Sequence, residues 1–185
     1  MRLALIALAV VITVLIGLSF LPENSSTNPD TTIHLQEARL SLYPEADPDA
    51  IWHFDVAKVD YQPESREADL YEVTNGARML GEEVDFTLVA DKINIDQQDN
   101  LHGDTIFVQL VKEGDWNLDM YAHKNRQVLI DQNRGKFEVP LLLYRGSGIE
   151  ESRAENVRMN FDLTEFESGG PDTENYDRFI DEVPQ

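Results

Sequence analysis

The chain between residues 32 and 166 alternates apolar and polar residues, and this pattern predicts β-strands. A period of two places every second side chain on the same face of a strand. The clearest run alternates polar residues with Val157, Met159, Phe161 and Leu163. Three further runs share this period: 106–110, 116–122 and 137–143. One apolar and one polar face are typical of antiparallel sheets, so we predict an all-β domain at 32–166.

Three runs change the phase of the alternation partway along, near Ala38, Ala57 and Ala90. A shift of one residue exchanges the two faces of a strand, so each change predicts a bulge or bend. Long, bent strands are typical of an open, rolled antiparallel sheet. Turn residues separate the runs, and the turns are predicted at Asn75-Gly76, 113–115, 133–135 and 145–148.

Residues 1–21 have a different pattern, a continuous apolar run without charge from Leu3 to Leu21. As a helix it would be about 28 Å long, close to a bilayer core of roughly 30 Å, so we predict one N-terminal transmembrane helix. The positive-inside rule leaves Arg2 in the cytoplasm and exports the rest. A cleaved signal peptide is the alternative, since Gly17 and Ser19 form a small-x-small pair.

Two polar segments flank the predicted domain. Residues 22–31 contain two prolines and no aliphatic side chain, so they predict a linker between membrane and domain. Residues 167–185 are rich in Asp and Glu and predict a disordered acidic tail.

The composition argues against several classes of function. A formal net charge of −20 repels phosphate backbones, so we expect no nucleic-acid binding. The absence of cysteine excludes disulfides, thiolate metal sites and a Cys nucleophile. The four histidines lie far apart, and no metalloprotease, P-loop or nucleophile-elbow motif is present. We therefore expect no catalysis, no cofactor and no metal site.

Two stretches resemble a known family: AIWHFDVAKVDYQPESREADLYEVTNGARML (50–80) and VDFTLVADKINIDQQDNLHGDTIFVQL (84–110). Each combines an aromatic residue, an alanine followed by alternating apolar positions, and an acidic turn. With the single N-terminal span, they are similar to the bitopic lipopolysaccharide-export proteins of the LptC type and the related OstA-like periplasmic domains. The sequence departs from the family in a longer turn at 101–106, and the match fades after Trp116.

This resemblance implies a β-jellyroll that binds lipopolysaccharide or a related lipid. The lipid would come from inner-membrane ABC transporter subunits and pass to a soluble OstA-like periplasmic protein. The chain would lie in the inner membrane with its N-terminus in the cytoplasm and its domain in the periplasm.

A rolled sheet that stays open presents its apolar face as a groove. Shielding about 300 Å² of acyl chain there would gain roughly 7 kcal/mol at ~25 cal/mol per Å². The candidate groove residues are Trp52, Phe54, Phe86, Leu88, Ile106, Val108, Trp116, Leu118, Met159 and Phe161.

Pro140 lacks the N–H that a central strand donates, so the segment around it predicts an edge strand. An unpaired edge can accept a strand from another protein. The candidate partner contacts on this edge are Phe137, Val139, Pro140 and Leu141.

Two other functions stay open at this point. One is a membrane-anchored glycan-binding or adhesion module, although Trp52 and Trp116 lie in strand runs and not in loops. The other is a scaffold of an envelope complex that has no ligand of its own.

Overall fold

The computed structural model describes residues 31–111, 116–146 and 148–169. The predicted anchor at 1–21 lies outside these residues, as do the linker as far as residue 30 and the tail from residue 170. In the described ranges, no helix is long and apolar enough to cross a membrane.

The described domain is all-β, as predicted, and forms one antiparallel sheet of eleven strands. The strands are β1 (Ile33–Leu42), β2 (Ala50–Gln62), β3 (Glu67–Leu80), β4 (Glu83–Ile95), β5 (Leu101–Gly103), β6 (Thr105–Leu110), β7 (Trp116–Tyr121), β8 (Val128–Asp131), β9 (Lys136–Gly146), β10 (Ile149–Asn160) and β11 (Phe166–Gly169). The last strand extends beyond the predicted domain boundary at residue 166.

The sheet is an up-and-down meander. β5 and β6 pair with β4 in one continuous register, since Asn94 pairs with His102 and Leu88 with Val108. They are two halves of one strand interrupted at Asp104. β7 and β8 likewise both pair with β9 and are separated by an excursion at 122–127. If β5 with β6 and β7 with β8 are each counted as one strand, every strand lies beside its neighbours in sequence. β1 and β11 form the two ends of the described sheet.

A crease crosses the sheet at the middle of its long strands. One row of paired residues follows it through Ala38, Val56, Val73, Ala90, Ile106, Met120, Leu142 and Ala154. The backbone is irregular beside this row: φ is positive at Glu37, Glu72 and Asn156, and the β2–β3 register shifts between Asp55 and Val56. Such irregularities bend strands, so the sheet folds over along the crease and wraps into a barrel-like arrangement.

The backbone irregularities lie beside two of the three predicted bends, those near Ala38 and Ala57. Near Ala90 the buried positions change phase, from Ala90 to Ile93, but the register of β4 with β5 and β6 is unbroken.

The predicted turn at Asn75-Gly76 is wrong. Both residues lie inside β3. The inner face of Gly76 is pressed against Leu88, and an added Cβ would lie 2.5 Å from the Leu88 Cδ1 atom. Gly76 is required by this close approach and not by a turn.

The predicted edge strand at 137–141 is also wrong, because β9 is a central strand. It pairs with β10 on one side and with β7 and β8 on the other. Phe137, Val139 and Leu141 are at most 2 % exposed, so they do not form a surface for a partner. Pro140 is tolerated since it faces the excursion between β7 and β8, where no ladder bond requires its N–H.

Candidate functional site

The crease divides the sheet into two leaves that face each other. The first leaf carries a row of paired residues through Leu42, Trp52, Arg78, Phe86, Leu110 and Trp116. The second leaf carries a row through Ile33, Tyr61, Ala68, Ile95, Leu101, Ile130, Phe137, Met159 and Phe166. Paired residues share one face of a sheet, so both rows lie on the inner face.

Aromatic rings join the two leaves across the interior. The ring centroid of Phe86 lies 5.3 Å from that of Phe137 and 5.4 Å from that of Phe161. On the first leaf, Trp52 packs edge-on against Phe86 at 5.3 Å and stacks on Phe54 at 5.5 Å. The interior is therefore filled by side chains of the protein itself at this cross-section.

The ten candidate groove residues do share the inner face. Nine of them belong to the buried core, each at most 8 % exposed, and Trp116 packs against it. The structure therefore places these residues in or against the core, and contact with a lipid stays a prediction.

The two leaves also have free rims on the side opposite the crease, and we call the region between these rims the mouth. An ion cluster of Arg78, Asp47 and Asp85 lies there. Arg78 is an inner-face residue of β3 and only 4 % exposed. Its guanidinium donates hydrogen bonds to Asp47, in the β1–β2 connection, and to Asp85 in β4. It also lies over the ring of Phe161, 4.8 Å from the centroid. Arg78 thus ties the first leaf to the second.

Arg78 was not among the predicted site residues. Its inward position depends on Gly76 lying inside β3 two residues earlier, where the sequence predicted a turn. A charged residue at an inward position is an anomaly that calls for a buried partner. The partners Asp47 and Asp85 could not be identified, because many aspartates are available in so acidic a chain.

The β4–β5 connection at 96–100 forms the opposite lip of the mouth. The Glu45 N–H from the β1–β2 connection donates to Asp99 at 3.1 Å. Asp96 accepts hydrogen bonds from the Gln98 and Asn100 amides and contacts the His102 ring at 2.9 Å. Burial raises the pKa of the Asp96 carboxyl, but these hydrogen bonds outweigh it and lower the pKa below the ordinary value.

Replacing Asp96 with asparagine is expected to destabilise the fold by about 1 to 3 kcal/mol at neutral pH, since hydrogen bonds to a charged acceptor are lost. The pKa of Asp96 is lower in the folded than in the unfolded chain. The Asp96 carboxylate therefore stabilises the fold fully above its pKa in the unfolded chain, about 3.9. This stabilisation is lost as the pH falls through the pKa of Asp96 in the folded chain. Urea unfolding at pH 7 and pH 3 checks this. An equal deficit of the variant at both pH values would contradict it.

The inner face runs out to the surface at both ends of the sheet. On β1, Ile33 and Leu35 pair with the inward residues Tyr61 and Val59, yet they are 47 % and 42 % exposed. On β11, Phe166 is 46 % exposed. The apolar side chains of the inner face are thus packed together in the middle of the sheet and exposed on its two end strands.

Polar side chains of the described part include residue types that can hold metals. Three of the histidines are hydrogen-bonded surface residues: His34 to Asp60, His53 to Ser41 and His102 to Asp96. No group of three or more His, Asp or Glu side chains in the described ranges could hold a metal ion.

No protein-family model and no curated protein matches the sequence.

Proposed function

We propose that this protein is a membrane-anchored component of an envelope lipid-export bridge, with its β-domain as an OstA-like jellyroll that carries lipopolysaccharide or a related lipid. The apolar inner face carries this proposal, as the lining of an open trough. It extends from β1, where Ile33 and Leu35 are exposed, to β11, where Phe166 is exposed. A ligand that matches it is long, flexible and apolar, and each CH₂ group moved into it from water gains about 0.8 kcal/mol.

The two sheet ends support a place within a chain of similar domains. Within the described residues, β1 is ten residues long and has a neighbour on one side only, and β11 pairs only with β10. An unpaired edge can add a strand from another protein. In such an assembly, the exposed Ile33 and Leu35 would continue the apolar surface into the neighbouring domain.

The packed interior favours a second candidate, a scaffold that joins membrane partners through its edges and carries no ligand. The aromatic contacts of Phe86 leave no space for an acyl chain in the middle of the trough unless the leaves move apart. In the lipid-carrier proposal, the leaves separate at the mouth.

Purification of the tagged full chain from its native membranes in mild detergent distinguishes the two. A carrier retains both ABC transporter subunits and lipid, which mass spectrometry identifies. Transporter or other membrane subunits without lipid would favour the scaffold. Recovery of neither would overturn both proposals.

A further inference from the structure

Two buried N–H donors on paired residues of the inner face have no hydrogen-bond acceptor. The Trp52 Nε1 atom and the Arg78 Nε atom are both fully buried and make no hydrogen bond. Trp52 and Arg78 are direct cross-strand partners on the inner face. Both also contact the ring of Phe86, Trp52 at 5.3 Å and the Arg78 guanidinium at 5.8 Å. The two donors therefore border one region of the trough.

Buried donors are almost always satisfied, and an unsatisfied one is costly. A hydrocarbon chain in the trough would leave both donors without a partner. A ligand with an oxygen acceptor at this depth would satisfy them, so the site discriminates between ligands by the presence of an acceptor.

The surroundings restrict the acceptor to a neutral oxygen. Asp47 and Asp85 already bind the other nitrogens of the Arg78 guanidinium, and their charges repel a phosphate or carboxylate. The remaining neighbours are the rings of Phe86 and Phe161. A carbonyl oxygen attached to an alkyl chain fits this combination of neutral acceptor and apolar walls.

We propose that Trp52 and Arg78 form a subsite for the ester or amide carbonyl of an acyl chain, which fixes the depth of the lipid in the trough. This subsite rests on the proposed lipid-carrier function. It makes the trough selective for acylated lipids over plain hydrocarbons and ethers.

Two matched ligands test the subsite: 1-decanoylglycerol and its ether analogue 1-decylglycerol, which lacks the carbonyl. Binding to the full chain is measured by titration calorimetry. The wild type is expected to prefer the ester by about fivefold for each hydrogen bond that the carbonyl accepts. Trp52→Phe keeps an aromatic ring but removes the Nε1 donor. Because Trp52 also lines the trough, the affinity for both ligands can change, and the readout is the ester-to-ether ratio, which should fall about fivefold. Tyr43→Phe, at a side chain 66 % exposed, is the control and should retain the full preference.

The outcomes distinguish failure of the carbonyl subsite from failure of the lipid-carrier proposal. Equal affinity of the wild type for ester and ether, or an unchanged preference in Trp52→Phe, would overturn the subsite while lipid binding stands. Binding of neither ligand by the wild type would overturn the lipid-carrier proposal and the subsite with it.

Discussion

Replacing Phe86 with alanine is expected to lower the free energy of unfolding by about 3 to 5 kcal/mol. Phe86 is fully buried and touches Trp52 on its own leaf and Phe137 and Phe161 on the other. Removing the ring leaves a cavity where the two leaves meet, and neighbours in a packed core collapse into it only in part. Urea denaturation of the purified protein measures the change.

Phe107→Ala is the matched control, since it removes the same side chain from the outer face. Phe107 is 40 % exposed and packs edge-on against Tyr121, with 6.2 Å between the ring centroids. We expect it to cost about 1 kcal/mol or less. Similar losses for the two variants would mean that the leaves are not held together at Phe86.

Replacing Arg78 with methionine is expected to have an effect of similar size, about 3 to 5 kcal/mol. Methionine keeps much of the apolar stem but leaves the carboxylates of Asp47 and Asp85 without their cation. The Asp85 side chain is only 11 % exposed, so water cannot fully solvate its charge. Thermal and urea unfolding both measure this loss, and opening of the mouth should raise the accessibility of Trp52 to a fluorescence quencher.

Two comparisons separate the charge effect from a packing effect. Arg39→Met breaks the Arg39–Asp55 pair, whose arginine side chain is 80 % exposed, and should change stability little. Adding Asp47→Asn and Asp85→Asn to Arg78→Met removes the buried charges and should restore part of the loss. A triple variant no more stable than Arg78→Met would show that the cost does not come from unpaired charge.

The alternation pattern predicted the fold class and two of the three bends because these depend on local periodicity. Every candidate groove residue lies in or against the core, since a strand fixes side-chain direction at each step. The phase changes at Ala38 and Ala57 marked the crease for the same reason.

The failures occurred where a residue's role depends on a distant neighbour. Asn75-Gly76 has the composition of a turn, but the position of Leu88 opposite it decides its structure. Pro140 predicted an edge strand, but β9 is central. The proline is tolerated there because residues 122–127, between β7 and β8, leave its position without a ladder partner. The contact of Phe86 with Phe137 joins residues far apart along the chain, which no local pattern could reveal.

Site-specific photo-cross-linking in living cells tests the trough most directly. A benzophenone side chain would be placed at the inward positions Leu35 and Phe161, and at the outward positions His34 and Arg158 as controls. The account predicts lipid adducts at Leu35 and Phe161 and none at His34 or Arg158, detected by mass spectrometry of the purified chain. Lipid adducts confined to the outward positions would contradict it.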